Sequence, residues 1–130
     1  MSVERYGSGV SYEEIVGYSR IIRAGDLILV AGTTAITPDG EFAGIGDPYA
    51  QMRQILENIE RSLSRVGASL ADVIRTRAYL TDGGHFEGFA RAHGEAFRDI
   101  RPVNTTIIIA GLPDPRMLVE LEVDAYLPRG

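Results

Sequence analysis

At 130 residues, with 45% hydrophobic and 24% charged residues, the chain has the size and make-up of one globular domain and too little sequence for two. Its net charge is −5, and its thirteen basic residues are all arginines, scattered singly or in pairs such as Arg20/Arg23 and Arg75/Arg77, which argues against the basic stripe of a nucleic-acid binder. The absence of cysteine excludes disulfides and thiolate chemistry, and two histidines leave too few nitrogen and sulfur donors to propose a metal site.

No apolar run has transmembrane length and no basic-then-apolar leader is visible, so the expectation is a cytoplasmic protein without membrane association. Residues 1–17 hold glycines, serines and Tyr12-Glu13-Glu14 without strong periodicity, and read as a loop-rich lead-in with one short edge strand at most. Residues 18–23 and 27–32 form a predicted hairpin around Ala24-Gly25-Asp26. Thr37-Pro38-Asp39-Gly40 is a turn. Asp47 and Pro48 open the strongest helix as N-cap and first helical residue. Its stripe is Tyr49, Met52, Ile55, Leu56, Ile59, Leu63 and Val66, with Glu57 and Arg61 as an exposed i,i+4 pair and Gly67 as its end.

A third strand is expected over 73–81, with Ile74, Thr76, Ala78 and Leu80 on one face and Arg75, Arg77 and Tyr79 on the other. A second helix over about 85–100 buries Phe86, Phe89, His93, Phe97 and Ile100, with Gly94 tolerable if the helix lies close on the sheet. Residues 104–110 form a strand apolar on both faces, the mark of a strand covered on both sides. After the Gly-Leu-Pro-Asp-Pro corner, Val119, Leu121, Val123 and Ala125 alternate with Glu120, Glu122 and Asp124. Glu122 and Asp124 are expected to pair with Arg75 or Arg77. The order ββαβαββ gives an α+β domain whose two helices cover one face of a mixed four- or five-stranded sheet. The other face is then expected to be buried by association with further copies of the chain.

No glycine pattern follows a strand and opens a helix as a phosphate loop would, and nothing resembles a nucleophile elbow. With the element order in hand, five stretches resemble the RidA/YjgF/UK114 family: Val16-Gly17-Tyr18-Ser19, Ile28 to Thr33, Gln54 to Ile59, Asp72 to Thr76, and Ala110-Gly111-Leu112-Pro113 followed by Leu118 to Glu122. The resemblance spans residues 14–127 in the right order. It implies a chorismate-mutase-like fold, a homotrimer with a central barrel, small-molecule pockets at the subunit interfaces, and cofactor-free hydrolysis of enamines and imines. Carried over residue by residue, Tyr18, Ala31, Gly32, Asn104, Thr105 and Thr106 line the implied substrate pocket, and Glu120 is its water-orienting carboxylate.

The chain departs from the family at three of these positions. Asn104 stands where the family has its substrate-gripping arginine, Ala31 replaces a serine, and Thr106 replaces a frequent cysteine. An amide cannot supply a guanidinium's charge. The reading is therefore a divergent member whose ligand is not the usual amino-acid-derived imine, with a non-catalytic trimeric binder or sensor as the alternative. Arg77 is a conceivable substitute cation, although a salt bridge to the Glu122/Asp124 row is its simpler role. Ribonuclease activity is disfavoured by the acidic balance.

Overall fold

The computed structural model describes residues 2–129. Its strands are β1 (Val3–Tyr6), β2 (Ile21–Ala24), β3 (Leu27–Thr33), β4 (Val73–Leu80), β5 (Val103–Ile108) and β6 (Val119–Tyr126). Its helices are α1 (Ser11–Val16), α2 (Pro48–Ser64) and α3 (Phe86–Phe97). The strands form one six-stranded sheet in the order β1-β2-β3-β6-β4-β5, antiparallel throughout except for the parallel β4–β5 pair. The α+β class and the mixed sheet with two main helices on one face are as expected; the sheet has six strands because the lead-in adds β1 as an edge.

Local chemistry fixes these elements. The Asp47 side chain accepts from the Ala50 N–H at 3.1 Å, and Pro48 sits at the first helical position of α2. Gly67 takes φ +79 just past the helix end, where a Cβ would be strained. The stripe Met52, Ile55, Leu56, Ile59 and Leu63 is buried against Ile28, Val30, Leu121, Val123 and Ala125 of the sheet. Arg23, only 5% exposed, ties three segments together by donating to the carbonyls of Gly25, Val66 and Leu127.

Several expectations need correction. Residues 11–16 are helical rather than loop, and end on Gly17 at φ +91. The first hairpin strand begins at Ile21, so Tyr18 precedes it. In β4 the register against β6 shifts between Val73 and Arg75, so Val73 takes the buried place and Ile74 is turned out to 50% exposure. Phe86 is 53% exposed because it opens α3 at the sheet's end, and the helix stops at Phe97, leaving Ile100 beyond it and only partly buried. The close glycine is Gly88, whose Cβ would fall 2.9 Å from the Tyr49 backbone nitrogen where α3 crosses the start of α2. Gly94 faces only the Arg98 side chain. Arg61 donates to Asn58 Oδ1 at 3.1 Å, and no Glu57–Arg61 ion pair occurs among the described residues.

The face without helices is neither bare nor wholly apolar. Arg75 pairs with Asp124 at 3.5 Å, and Arg77 with Glu122 and Asp124 at 3.4 and 3.6 Å, as the cross-strand pattern predicts. Tyr79 donates to Glu122, and that bond holds its phenol above its usual pKa. β5 is an open edge within the protomer, with Val103 at 60% and Ile108 at 63% exposure. The expected double-sided cover of this strand is therefore not supplied by the protomer itself.

Candidate functional site

A cavity of about 1050 Å3 opens at the end of the sheet where β3 finishes and β6 starts. It lies between residues 7–12, the loop after β3, the second half of α2, and the 113–117 corner. Four of the residues singled out from sequence line it: Tyr18, Ala31, Gly32 and Glu120. The carboxylate of Glu120 accepts no hydrogen bond from the described residues and makes no ion pair with them. Burial, reinforced by nearby Glu122, pushes its pKa above the ordinary carboxylate value, against the pull of the Arg20 guanidinium. This free carboxyl group facing a cavity is what a general base or water-holding group requires.

Gly32 makes the placement possible. A Cβ there would stand 2.6 Å from Glu120 Oε1 and 2.7 Å from its carboxyl carbon, so only glycine leaves the carboxylate its position.

Sequence reasoning missed Arg20, which organises this wall and is 8% exposed. Its guanidinium donates to the Gly32 carbonyl at 2.6 Å, to Thr33 Oγ1 and the Tyr18 hydroxyl at 3.1 Å each, and to Glu13 Oε2 at 3.1 Å. Glu13 also accepts from the Ser8 backbone N–H at 2.8 Å and from the Ser8 hydroxyl. Burial acts to raise the pKa of Glu13, but the Ser8 and Arg20 bonds outweigh it and the net shift is downward. The Glu13–Arg20 pair thus clamps residues 8–13 over the strand that carries Gly32. The available signal was an arginine two residues after Tyr18, entering a buried strand.

The cavity is electropositive in an acidic chain. Four arginines (20, 61, 65 and 116) line it against two carboxylates, Asp114 and Glu120. Arg116 neutralises Asp114 through two side-chain bonds at 2.9 Å, which hold that carboxyl at about 2. Arg61 donates to Asn58 Oδ1, and Arg65 donates to the Gly7 carbonyl and lies over the Tyr6 ring at 4.4 Å, so among the described residues neither has a carboxylate partner.

Asn104, Thr105 and Thr106 lie elsewhere, on β5. Asn104 is paired with Thr76 and faces the helix side, whereas Glu120 is paired with Tyr79 and faces the open side. They are two strands apart, about 10 Å across, and three residues apart along the sheet, about another 10 Å. No small molecule touches both within one protomer. Arg77 is engaged by the Glu122/Asp124 row, and no group of three or more His, Cys, Asp or Glu suited to a metal ion occurs among the described residues.

Fold and cavity together define a small α+β domain with a pocket at the end of its sheet. Residues 9–127 match the family model described as endoribonuclease L-PSP, and the chain belongs to this family. It is 43% identical to a crystallographically solved member of the YjgF/YER057c/UK114 family from Mycobacterium tuberculosis, with a TM-score of 0.88 over 97% of this chain and 100% of that one. It is 39% identical to an uncharacterised protein from Streptomyces coelicolor, over 96% of this chain and 92% of that protein. It is also 28% identical to a 3-aminoacrylate deaminase, RutC, from Acinetobacter baylyi, over 85% and 86% of the two chains.

Proposed function

We propose that the protein hydrolyses a small imine or enamine without a cofactor, in a cleft made by the Glu120 cavity of one copy and β5 of a neighbour in a homotrimer. The unpartnered, pKa-raised carboxyl of Glu120 in the cavity carries this reading. The exposed apolar β5 edge and the distance from Asn104 to Glu120 support completion by a second copy. The 3-aminoacrylate deaminase among the relatives supports the reaction class.

In this reading Glu120 holds a water against the imine carbon. The water oxygen bonds to that carbon and a proton passes to the carboxylate. The C=N π pair moves to nitrogen, which takes that proton and gives a carbinolamine. Its hydroxyl proton then passes through the same carboxylate to nitrogen as the C–N bond breaks, so that a carbonyl compound and ammonia leave. An enamine enters the same path after taking a proton at carbon to become the imine. Arg20, with Tyr18 and the Gly32 carbonyl fixed around it, stiffens the wall and adds positive potential beside Glu120. The uncompensated Arg61 and Arg65 leave the cavity able to hold a substrate carboxylate that Asn104 cannot.

The test is ammonia release from freshly generated 3-aminoacrylate and 2-iminopropionate by wild type and Glu120→Gln, with ligand affinity measured alongside. The expected result is turnover of 3-aminoacrylate by wild type, with 2-iminopropionate, the usual amino-acid-derived imine, turned over poorly, and a loss of about 10²–10⁴-fold in kcat at nearly unchanged affinity in the variant. Binding without turnover in wild type would instead establish the alternative of a non-catalytic binder.

A further inference from the structure

The second wall of that cleft, on β5, contains a chain of hydrogen bonds that reaches into the core. Thr106 Oγ1 donates to Asn104 Oδ1 at 2.9 Å, and Asn104 Nδ2 donates to Thr76 Oγ1 at 3.0 Å. Thr76 Oγ1 lies 2.9 Å from His93 Nε2, and Thr76 is 0% exposed. His93 sits between Phe89 and Phe97 on α3, its ring centroid 5.4 and 4.7 Å from theirs.

We propose that His93 is a positioning residue that sets the direction of this chain, and with it what Asn104 and Thr106 offer a ligand. A threonine hydroxyl has one proton to give. Since Thr76 receives from Asn104, its own proton goes to His93, whose Nε2 must carry a lone pair. Otherwise a fully buried hydroxyl proton would have no acceptor among the described residues. The imidazole is therefore neutral and protonated on Nδ1, the form that burial between aromatic rings favours.

The direction has a consequence at the surface. With protons running inward from Thr106 to His93, the Thr106 oxygen has only lone pairs left to offer outward. Asn104 keeps one free lone pair and one free N–H. The reverse order is also complete: His93 Nε2–H donates to Thr76, Thr76 to Asn104 Oδ1, and Asn104 Nδ2 to Thr106, whose hydroxyl then points its proton outward. The imidazole thus chooses between an acceptor-rich and a donor-rich wall. In the observed direction the wall is acceptor-rich, and the ligand group it takes is an N–H donor, such as an amide or an imine or enamine nitrogen, rather than a carboxylate. This specificity rests on the cleft proposed above; the chain's direction does not.

The two claims are tested separately in the full-length protein. Two-bond ¹H–¹⁵N correlation spectra read the tautomers of the two histidines, and His85→Gln identifies the His93 signals. Wild type should show His93 protonated on Nδ1 and bare on Nε2. Asn104→Asp places an acceptor-only carboxylate opposite Thr76, so Thr76 should donate to it, the link from Thr76 to His93 should reverse and the proton appear on Nε2, while Thr106 goes on donating to residue 104. A wild-type His93 protonated on Nε2, or a pattern indifferent to Asn104→Asp, overturns the positioning role whatever the protein's activity. For specificity, propionamide and propionate are titrated while the Asn104 side-chain amide signals are followed. Propionamide should act at about three- to tenfold lower concentration, the worth of one hydrogen bond made rather than refused. Propionate acting first overturns the specificity and leaves the tautomer result standing.

Discussion

Replacing Gly32 with alanine isolates the position of the Glu120 carboxylate from its chemistry. The new methyl would stand 2.6 Å from Oε1 and 2.7 Å from the carboxyl carbon. To reach the 3.4 Å at which ordinary contact begins, the carboxylate has to retreat by about 0.8 Å. Its side chain is flexible and otherwise unattached, so folding loses about 1 kcal/mol, the scale of an off-rotamer torsion. That lowers the melting temperature by only a few degrees. Catalysis is far more sensitive, since a misplacement near 1 Å costs about 10²-fold. Gly32→Ala should therefore lower kcat/KM for 3-aminoacrylate by about two orders of magnitude with a near-native thermal melt. Added to Glu120→Gln it should cause little further loss, because both changes act on one group. Activity within twofold of wild type in Gly32→Ala would refute the assignment of Glu120 as the water-holding group.

Arg20→Met leaves Glu13 buried beside Ser8 without its cation, and should cost about 3–5 kcal/mol in denaturant unfolding, with faster amide exchange across residues 8–13. Because the folded pKa of Glu120 lies above 4.5, its stabilising contribution is full below 4.5 and is lost as pH rises through the raised value. Glu120→Gln should thus melt higher than wild type at pH 7 and show no such advantage below pH 4.5. The same shift puts the acid limb of kcat/KM above 4.5, where ordinary carboxylates would already have ionised. Glu13 works in the opposite sense: its pKa is depressed, so its contribution is present above 4.5 and fades as pH falls through the lowered value. Ile108→Glu, at a position 63% exposed in the protomer, should lower the sedimentation mass toward that of a single chain while the protomer stays folded.

Those parts of the fold governed by local periodicity were legible in the sequence. The 3.6-residue stripe of α2, its Asp47-Pro48 start and the strict alternation of β6 each bury one face, so a one-letter pattern carries the answer. What failed was what neighbours decide. Ile74 obeys the alternation of β4 on paper, but the register shift beside it hands the core position to Val73. Within the helix of residues 11–16, Glu13 is held by Ser8 and Arg20, contacts that span five and seven residues and leave no periodic trace. The candidate site divided along the same line. Resemblance picked out four residues of the Glu120 cavity, but Arg20, whose bonds run to the Gly32 carbonyl and to the Glu13, Tyr18 and Thr33 side chains, and the reach of Asn104 to His93 through Thr76 are matters of packing that no spacing rule encodes.

Those contacts bear on what Asn104 can offer where the family resemblance implies an arginine. An isolated asparagine on an exposed edge would have no charge and a freely rotating amide. Asn104 is instead anchored at Thr76, which is fully buried, and that anchor ends in a histidine held between two phenylalanines. At this position β5 offers a fixed pattern of donors and acceptors and no charge. Meanwhile positive charge with no carboxylate partner among the described residues persists at Arg61 in the last turn of α2 and at Arg65 just past it. A ligand carrying one anionic end and one N–H end would then lie with its charge toward α2 and its nitrogen toward β5. Asn104→Arg makes this concrete. If the altered wall sets orientation, the variant should bind a carboxylate at β5 and tolerate Arg61→Gln, Arg65→Gln substitutions that weaken substrate binding in wild type. Equal sensitivity to those substitutions in both backgrounds would mean that the α2 arginines do not hold the anionic end.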